Sequence, residues 1–241
     1  MAMDDSEKHV ADYLASKGYE SDRVVFEPDG NVTPDFLLNG HIAIEVRRLN
    51  QNYEGAGQTE GLEDAAIPFF HKLKKLVESF GPPTGTHSWF VSYDYGRPEM
   101  PWKSLKPALK TMFSDFVSNP NPGSAKHKVG NRLRIKIHPS SMKFDTYFVM
   151  GGHTDDQAGG WLVAEMIRNL GICVAEKTKK VADYRAKYPQ WWLLFVDRIG
   201  YGSLDAEDIA VIREHVAGLD EWDKVIVVDT ENYGRSFEIK G

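Results

Sequence analysis

The chain has 241 residues, 41% of them hydrophobic and 27% charged, with a formal net charge of −6. This balance is too apolar for a disordered polymer and too acidic for a protein that grips nucleic acid over its whole surface. A single cysteine, Cys173, excludes an internal disulfide framework and points to a reducing compartment.

The first residues are acidic (Asp4, Asp5, Glu7) and carry no apolar signal core. No apolar run reaches the roughly 18 residues of a membrane span. The expectation is a cytoplasmic protein with no membrane partner. No stretch reads as a linker, so the chain is expected to be one domain over residues 1–241.

In chain order, residues 5–17 read as a helix with Val10, Ala11 and Leu14 on one stripe and Gly18 as its stop. Val24 to Glu27 is a short β-branched run. Residues 35–38 and 41–47 flank Asn39-Gly40, a strong hairpin signal. The polar, glycine-rich stretch 50–61 reads as a loop. A helix with Phe69, Leu73, Leu76 and Phe80 on one side then runs to about residue 80, opened or kinked by Pro68.

Further strands are expected at 87–93 and 144–150, a helix at 102–117 and a loop at 119–124. From Arg132 to His138 basic and apolar residues alternate, the pattern of a half-buried strand with a basic outer face. His153, Asp155 and Asp156 precede a long helical stretch and suit N-cap roles better than metal ligation. Trp191 to Val196 is continuously apolar, as in a central strand covered on both faces. A helix at 205–217 and a last buried strand at 225–228 follow. Together these elements predict an α/β fold, a central mixed β-sheet flanked by α-helices on both sides.

Charge is spread unevenly along this pattern. Between Asn121 and Lys187 twelve bases face six acids. The excess makes either a local basic surface or ordinary solvated strand and helix faces.

The hairpin carries the chemistry. Phe36, Ile42, Ile44 and Val46 are its apolar positions and should share the core face, leaving Asp35, Leu37, His41, Ala43, Glu45 and Arg47 on the other. A two-residue turn pairing Leu38 with His41 would put Asp35 and Glu45 on opposite faces. A three-residue loop, Leu38-Asn39-Gly40 with Gly40 left-handed, pairs Leu37 with His41 and gathers Asp35, Glu45 and Arg47 on one side. The apolar pattern favours the second register. Two carboxylates held on one face repel each other and gain from a hard dication, for which Mg²⁺ is suited. A cation two residues beyond Glu45 could stabilise charge developing on a phosphate.

At Pro34-Asp35, nine intervening residues, then Glu45-Val46-Arg47, the chain resembles the PD-(D/E)XK nuclease superfamily, which includes restriction endonucleases and Holliday junction resolvases. The resemblance implies a restriction endonuclease-like fold. It further implies Mg²⁺ (or Mn²⁺) bound by Asp35, Glu45 and the Val46 carbonyl, and hydrolysis of phosphodiesters in nucleic acid, with DNA the expected substrate. Glu7 matches an acidic residue that many members carry on the helix before the hairpin, and Gln51 a glutamine that some carry after the core strand. The departure is Arg47 in the place of the family lysine. Arginine stabilises negative charge but stays protonated and cannot act as a base. Lys177 and Lys180 are candidates for an ammonium supplied from a nearby helix, although Lys177 to Lys180 also reads as a solvated face. The alternative function is a nuclease-fold protein that binds nucleic acid or a protein partner without cutting.

Overall fold

The structure is a computed structural model that describes residues 2–30, 32–55, 58–120, 123–200 and 202–241, with only the backbone at Gln58. In chain order its elements begin with α1 (Asp5–Ser16), β1 (Val24–Phe26), β2 (Phe36–Leu38), β3 (Ile42–Leu49), β4 (Asn52–Gly55) and β5 (Gln58–Gly61). Next come α2 (Leu62–Glu78), β6 (Trp89–Tyr95), α3 (Trp102–Ser118), β7 (Ala125–Val129), β8 (Leu133–Pro139) and β9 (Phe148–Asp155). The chain closes with α4 (Leu162–Val181), β10 (Gln190–Asp197), α5 (Ala206–His215), β11 (Lys224–Val228) and β12 (Phe237–Lys240). The fold is α/β. Among the described residues no helix is long and apolar enough to cross a membrane.

By its contacts the chain divides into two compact units, where the sequence suggested one domain over 1–241. Unit 1 comprises residues 1–51 and 159–241, and unit 2 comprises residues 52–158. The polar, glycine-rich stretch after Gln51 marks where unit 2 begins, but alone it reads as a loop within one domain. In unit 1 the Gln51 side chain closes the neck of this insertion. Its Nε2 donates to the Gly159 carbonyl at 3.0 Å, and its Oε1 accepts from the Gly159 amide at 3.1 Å.

Unit 1 is built on a six-stranded mixed sheet in the order β1-β2-β3-β10-β11-β12. One face packs Val10, Tyr13 and Leu14 of α1 against Phe36, Ile44, Leu194 and Val228. The other packs Met166, Leu170, Cys173 and Val174 of α4, with Ile212 of α5, against Ala43, Leu193, Phe195 and Val227. The continuously apolar β10 is an inner strand paired in parallel with both β3 and β11, and every residue after Gln190 is buried. Trp191 and Trp192 face opposite cores, as alternation demands.

The β2–β3 hairpin keeps the expected face assignment in a different register. Asn39 (φ 53°) and Gly40 (φ 72°) are both left-handed, and the His41 amide donates to the Leu38 carbonyl at 3.2 Å. The ladder pairs Leu38 with Ile42, Leu37 with Ala43 and Phe36 with Ile44, so the loop is Asn39-Gly40-His41. Leu37 does not pair with His41. The shift is two residues, so it preserves every side chain's face, and burial of Phe36, Ile42 and Ile44 is satisfied as before.

Unit 2 is a four-stranded sheet, β7-β8-β6-β9, with α2 and α3 packed on one face through Phe69, Leu73, Leu105, Leu109 and Phe113. Residues 52–61, expected to be loop, form the small antiparallel pair β4–β5, with residues 56 and 57 outside the described set. The loop expected at 119–124 also falls partly outside it. Pro68 lies inside α2 rather than at its start.

Three other expectations are corrected. The strand expected at 144–150 is β9, which begins at Phe148 and extends through His153 to Asp155. His153, Asp155 and Asp156 therefore cap nothing, and α4 starts only at Leu162 after an N-cap, Trp161, with no side-chain bond. The strand at 225–228 is not the last, because β12 pairs antiparallel beyond it.

Candidate functional site

β3 places Glu45 in the middle of a buried strand, on the face that α4 covers. Its side chain is fully buried. Burying a carboxylate without partners would cost several kcal/mol, so its environment must supply them. One oxygen, Oε1, accepts a hydrogen bond from the buried Thr33 hydroxyl. The other, Oε2, accepts from two ammoniums, Lys177 Nζ at 2.6 Å and Lys180 Nζ at 3.0 Å.

Asp35 stands just before β2, on the strand next to β3. Its Oδ2 accepts from the Val46 amide at 2.6 Å, which fixes the carboxylate against the main chain of β3. The same two lysines reach it, Lys177 Nζ at 3.8 Å from Oδ2 and Lys180 Nζ at 4.0 Å from Oδ1. Two carboxylates and two ammoniums therefore form one cluster. Burial works to lower the Lys180 ammonium, but the charge and hydrogen bond of Glu45, with the charge of Asp35, outweigh it and hold the group above the usual lysine range.

The cluster opens on a cleft of about 620 Å³ lined by Glu7, Asp35, Val46, Arg47, Glu176, Lys177 and Lys180 among others. Glu7 enters it from α1. It is also the third residue of a capping box, its amide donating to Asp4 Oδ1 at 2.8 Å and its Oε2 accepting from the Asp4 amide at 2.6 Å. Burial pushes the Glu7 carboxyl up, opposed by the Asp4 amide and reinforced by the charges of Asp4 and Asp35. The first-turn acid and the cleft acid are one residue in both roles.

Arg47 lies in the same cleft, yet its ion pair runs to Glu176, Nη2 to Oε2 at 3.1 Å. Its Nε is buried with no hydrogen-bond partner among the described residues. The cations beside the paired carboxylates are Lys177 and Lys180, not Arg47. Gln51 sits at the insertion neck, with its Nε2 also 3.3 Å from Glu165.

Two partners in this site lie outside the Pro34-Asp35…Glu45-Val46-Arg47 motif, Thr33 and Lys177, and of these only Lys177 is among the sequence candidates. Thr33 stands just before the motif and carries no signal of its own. Lys177 occupies the inward stripe of α4, on which Met166, Leu170, Cys173 and Val181 are buried at spacings of three and four. A lysine on an apolar stripe was the available signal. Lys177 is 7% exposed, so it is no part of a solvated face.

Comparison of the chain with protein-family models, with curated proteins and with solved structures found no match.

Proposed function

We propose that unit 1 is a metal-dependent phosphodiesterase of the PD-(D/E)XK kind, acting on nucleic acid, with DNA the expected substrate. In this reading the ammonium comes from α4 instead of β3. The carrying observation is the position of Lys177 Nζ, 2.6 Å from Glu45 and 3.8 Å from Asp35 while Arg47 is drawn to Glu176. The restriction endonuclease-like reading of the fold is supported by a mixed sheet with α1 on one face and α4 and α5 on the other, and by β3 as an inner strand.

The donor chemistry suits a hard dication. Two carboxylates meet at one cluster, and Mg²⁺ needs few protein ligands because it keeps several waters. Among the described residues no group of three or more His, Cys, Asp or Glu is arranged to hold a metal, so the reading rests on Asp35, Glu45 and the Val46 carbonyl. Bound there, Mg²⁺ or Mn²⁺ would neutralise phosphate charge and acidify a water.

The chain's own groups do the rest. Thr33 and the Val46 amide hold the two carboxylates in fixed orientations. Lys177 and Lys180 balance them while the cleft is free of substrate and can turn their remaining N–H donors to a phosphate oxygen. Arg47, fixed by Glu176 at the cleft wall, supplies permanent positive charge. Hydrolysis adds one water across a P–O bond, and positive groups placed before the reaction stabilise the extra charge on the phosphoryl oxygens.

The test is a panel of single-stranded, double-stranded and branched DNA, with RNA, incubated with Mg²⁺ or Mn²⁺. Wild type should cut at least one member, and Asp35→Ala should cut none. Cutting that survives Asp35→Ala, or no cutting by wild type, would overturn the reading. Salt-sensitive binding without cutting would favour the non-cleaving alternative.

A further inference from the structure

Among the described residues of unit 2, the helices α2 and α3 pack on one face of its sheet. On that side Trp89, Val91, Tyr93, Leu133, Ile135 and Ile137 are buried against α2 and α3. The alternate residues look outward and form rows across the strands. Lys128 pairs with Arg134, which pairs with Asp94. Lys126 pairs with Lys136, which pairs with Ser92. His138 pairs with Phe90, which pairs with Val149. Lys126, Lys128 and Arg134 are exposed, and Lys136, His138 and Phe90 are half-buried.

Two features of this face need an explanation. Like charges directly opposite on antiparallel strands destabilise a sheet, yet two such pairs lie side by side here. Asp94 and Asp156 offset only the β8 members: Arg134 Nε lies 3.1 Å from Asp94 and Nη2 3.0 Å from Asp156, and Lys136 Nζ lies 2.9 Å from Asp94. Lys126 and Lys128 have no carboxylate partner among the described residues. Beside the cations is an aromatic group, Phe90 with His138 at 5.5 Å and with Phe144 at 5.7 Å between ring centroids.

Cations in rows next to aromatic rings on a sheet face match a ligand that alternates phosphates with planar bases. We propose that the open face of unit 2 docks single-stranded nucleic acid, with Lys126, Lys128, Arg134 and Lys136 taking phosphates and Phe90 with His138 offering a surface on which a base stacks. The acidic balance of the whole chain does not oppose this, because residues 52–158 carry a small net positive charge and unit 1 carries the acids. The proposal deepens the nucleic-acid reading of unit 1, but it rests on unit 2 residues alone.

The experiment measures fluorescence anisotropy of labelled oligothymidylate of roughly 16 nucleotides, the upper end of a single-strand site, with the full chain in EDTA. Wild type should bind with a steep salt dependence. Lys126→Gln/Lys128→Gln should flatten the slope of log K against log salt by about 1.4, or 0.7 for each lost phosphate contact on a single strand. Phe90→Leu, which keeps apolar bulk, should weaken binding by about fivefold or more through lost stacking. An unchanged slope in the double lysine variant, or tighter binding of a duplex of equal length, would overturn the proposal. So would unchanged binding accompanied by aggregation of that variant, which would make the lysines guards of the β7 edge only.

Asp35→Ala separates this from the unit 1 reading. Binding that depends on Lys126 and Lys128 in a protein that cuts nothing keeps this inference and removes the nuclease. Cleavage lost in Asp35→Ala, with binding indifferent to Lys126 and Lys128, does the reverse.

Discussion

Each unit buries an ion pair, and the two are built in opposite ways. In unit 2, Arg97 Nη1 lies 2.7 Å from both Asp155 oxygens, Nη2 donates to the Leu62 carbonyl at 2.6 Å, and the side chains are 3% and 11% exposed. One cation meets one anion there, and Arg97 lines a cleft together with Tyr95 and Glu99. In unit 1, the fully buried Glu45 receives two ammoniums, and a second carboxylate, Asp35, stands within 4.0 Å of both. That cluster opens on a cleft. A single buried pair in one geometry leaves a bare charge when either partner is removed. A cluster whose members have alternative partners can exchange one of them for a phosphate or a dication without leaving a buried charge bare.

Removing one partner from each pair should show the difference most strongly. Asp155→Ala leaves a buried guanidinium without its counter-ion, and urea unfolding should register a loss of about 3–5 kcal/mol. Lys177→Met leaves Glu45 with Lys180, so the loss should be smaller, about 1–3 kcal/mol. Equal losses would mean that Lys180 does not share the charge of Glu45.

The next effect concerns exchange itself. Mg²⁺ or Mn²⁺ at a hundred times its Kd should stabilise the wild type by about 2.7 kcal/mol, read as a rise in Tm, and Asp35→Asn should abolish the rise. Because the ammoniums and a dication compete for the same oxygens, Lys180→Gln should tighten metal binding in calorimetry. Weaker binding in that variant would contradict the competition.

Glu7 gives the smallest effect. Its carboxyl is raised on folding, so the folded state holds the proton more tightly than the unfolded chain does. Ionised Glu7 therefore costs stability above its folded pKa, and the cost disappears as pH falls below the ordinary glutamate range. Glu7→Gln keeps a side chain able to cap Asp4. It should stabilise the protein by about a few tenths of a kcal/mol at neutral pH and not at all near pH 3, a difference that unfolding curves at the two pH values would reveal.

The parts of this architecture that were readable beforehand are those dictated by local periodicity. Val10 and Leu14 marked α1, the alternation from Arg132 to His138 marked β8, and the run Trp191 to Val196 marked the central strand. The hairpin's faces were legible for the same reason, although its register was not, since a shift of two leaves the pattern unchanged. What escaped depends on distant partners. The insertion of unit 2 is closed by Gln51 meeting Gly159, far apart in sequence. Asp155 and Asp156 read as a helix end because their guanidinium partners are distant in sequence, Arg97 just after β6 and Arg134 on β8. Lys177 reads equally as an ammonium donor or as surface, because its carboxylate is 132 residues away.

The central claim is that the ammonium of this cleft comes from α4. Its direct test is the initial rate of Mg²⁺-dependent cleavage by Lys177→Met against wild type, with folding checked by unfolding midpoint. A loss of roughly 10²- to 10³-fold is expected, the usual effect of removing one charge-stabilising donor, with partial recovery in Lys177→Met/Arg47→Lys, where a lysine returns to β3. Cleavage by folded Lys177→Met at the wild-type rate, while Asp35→Ala is silent, would contradict it.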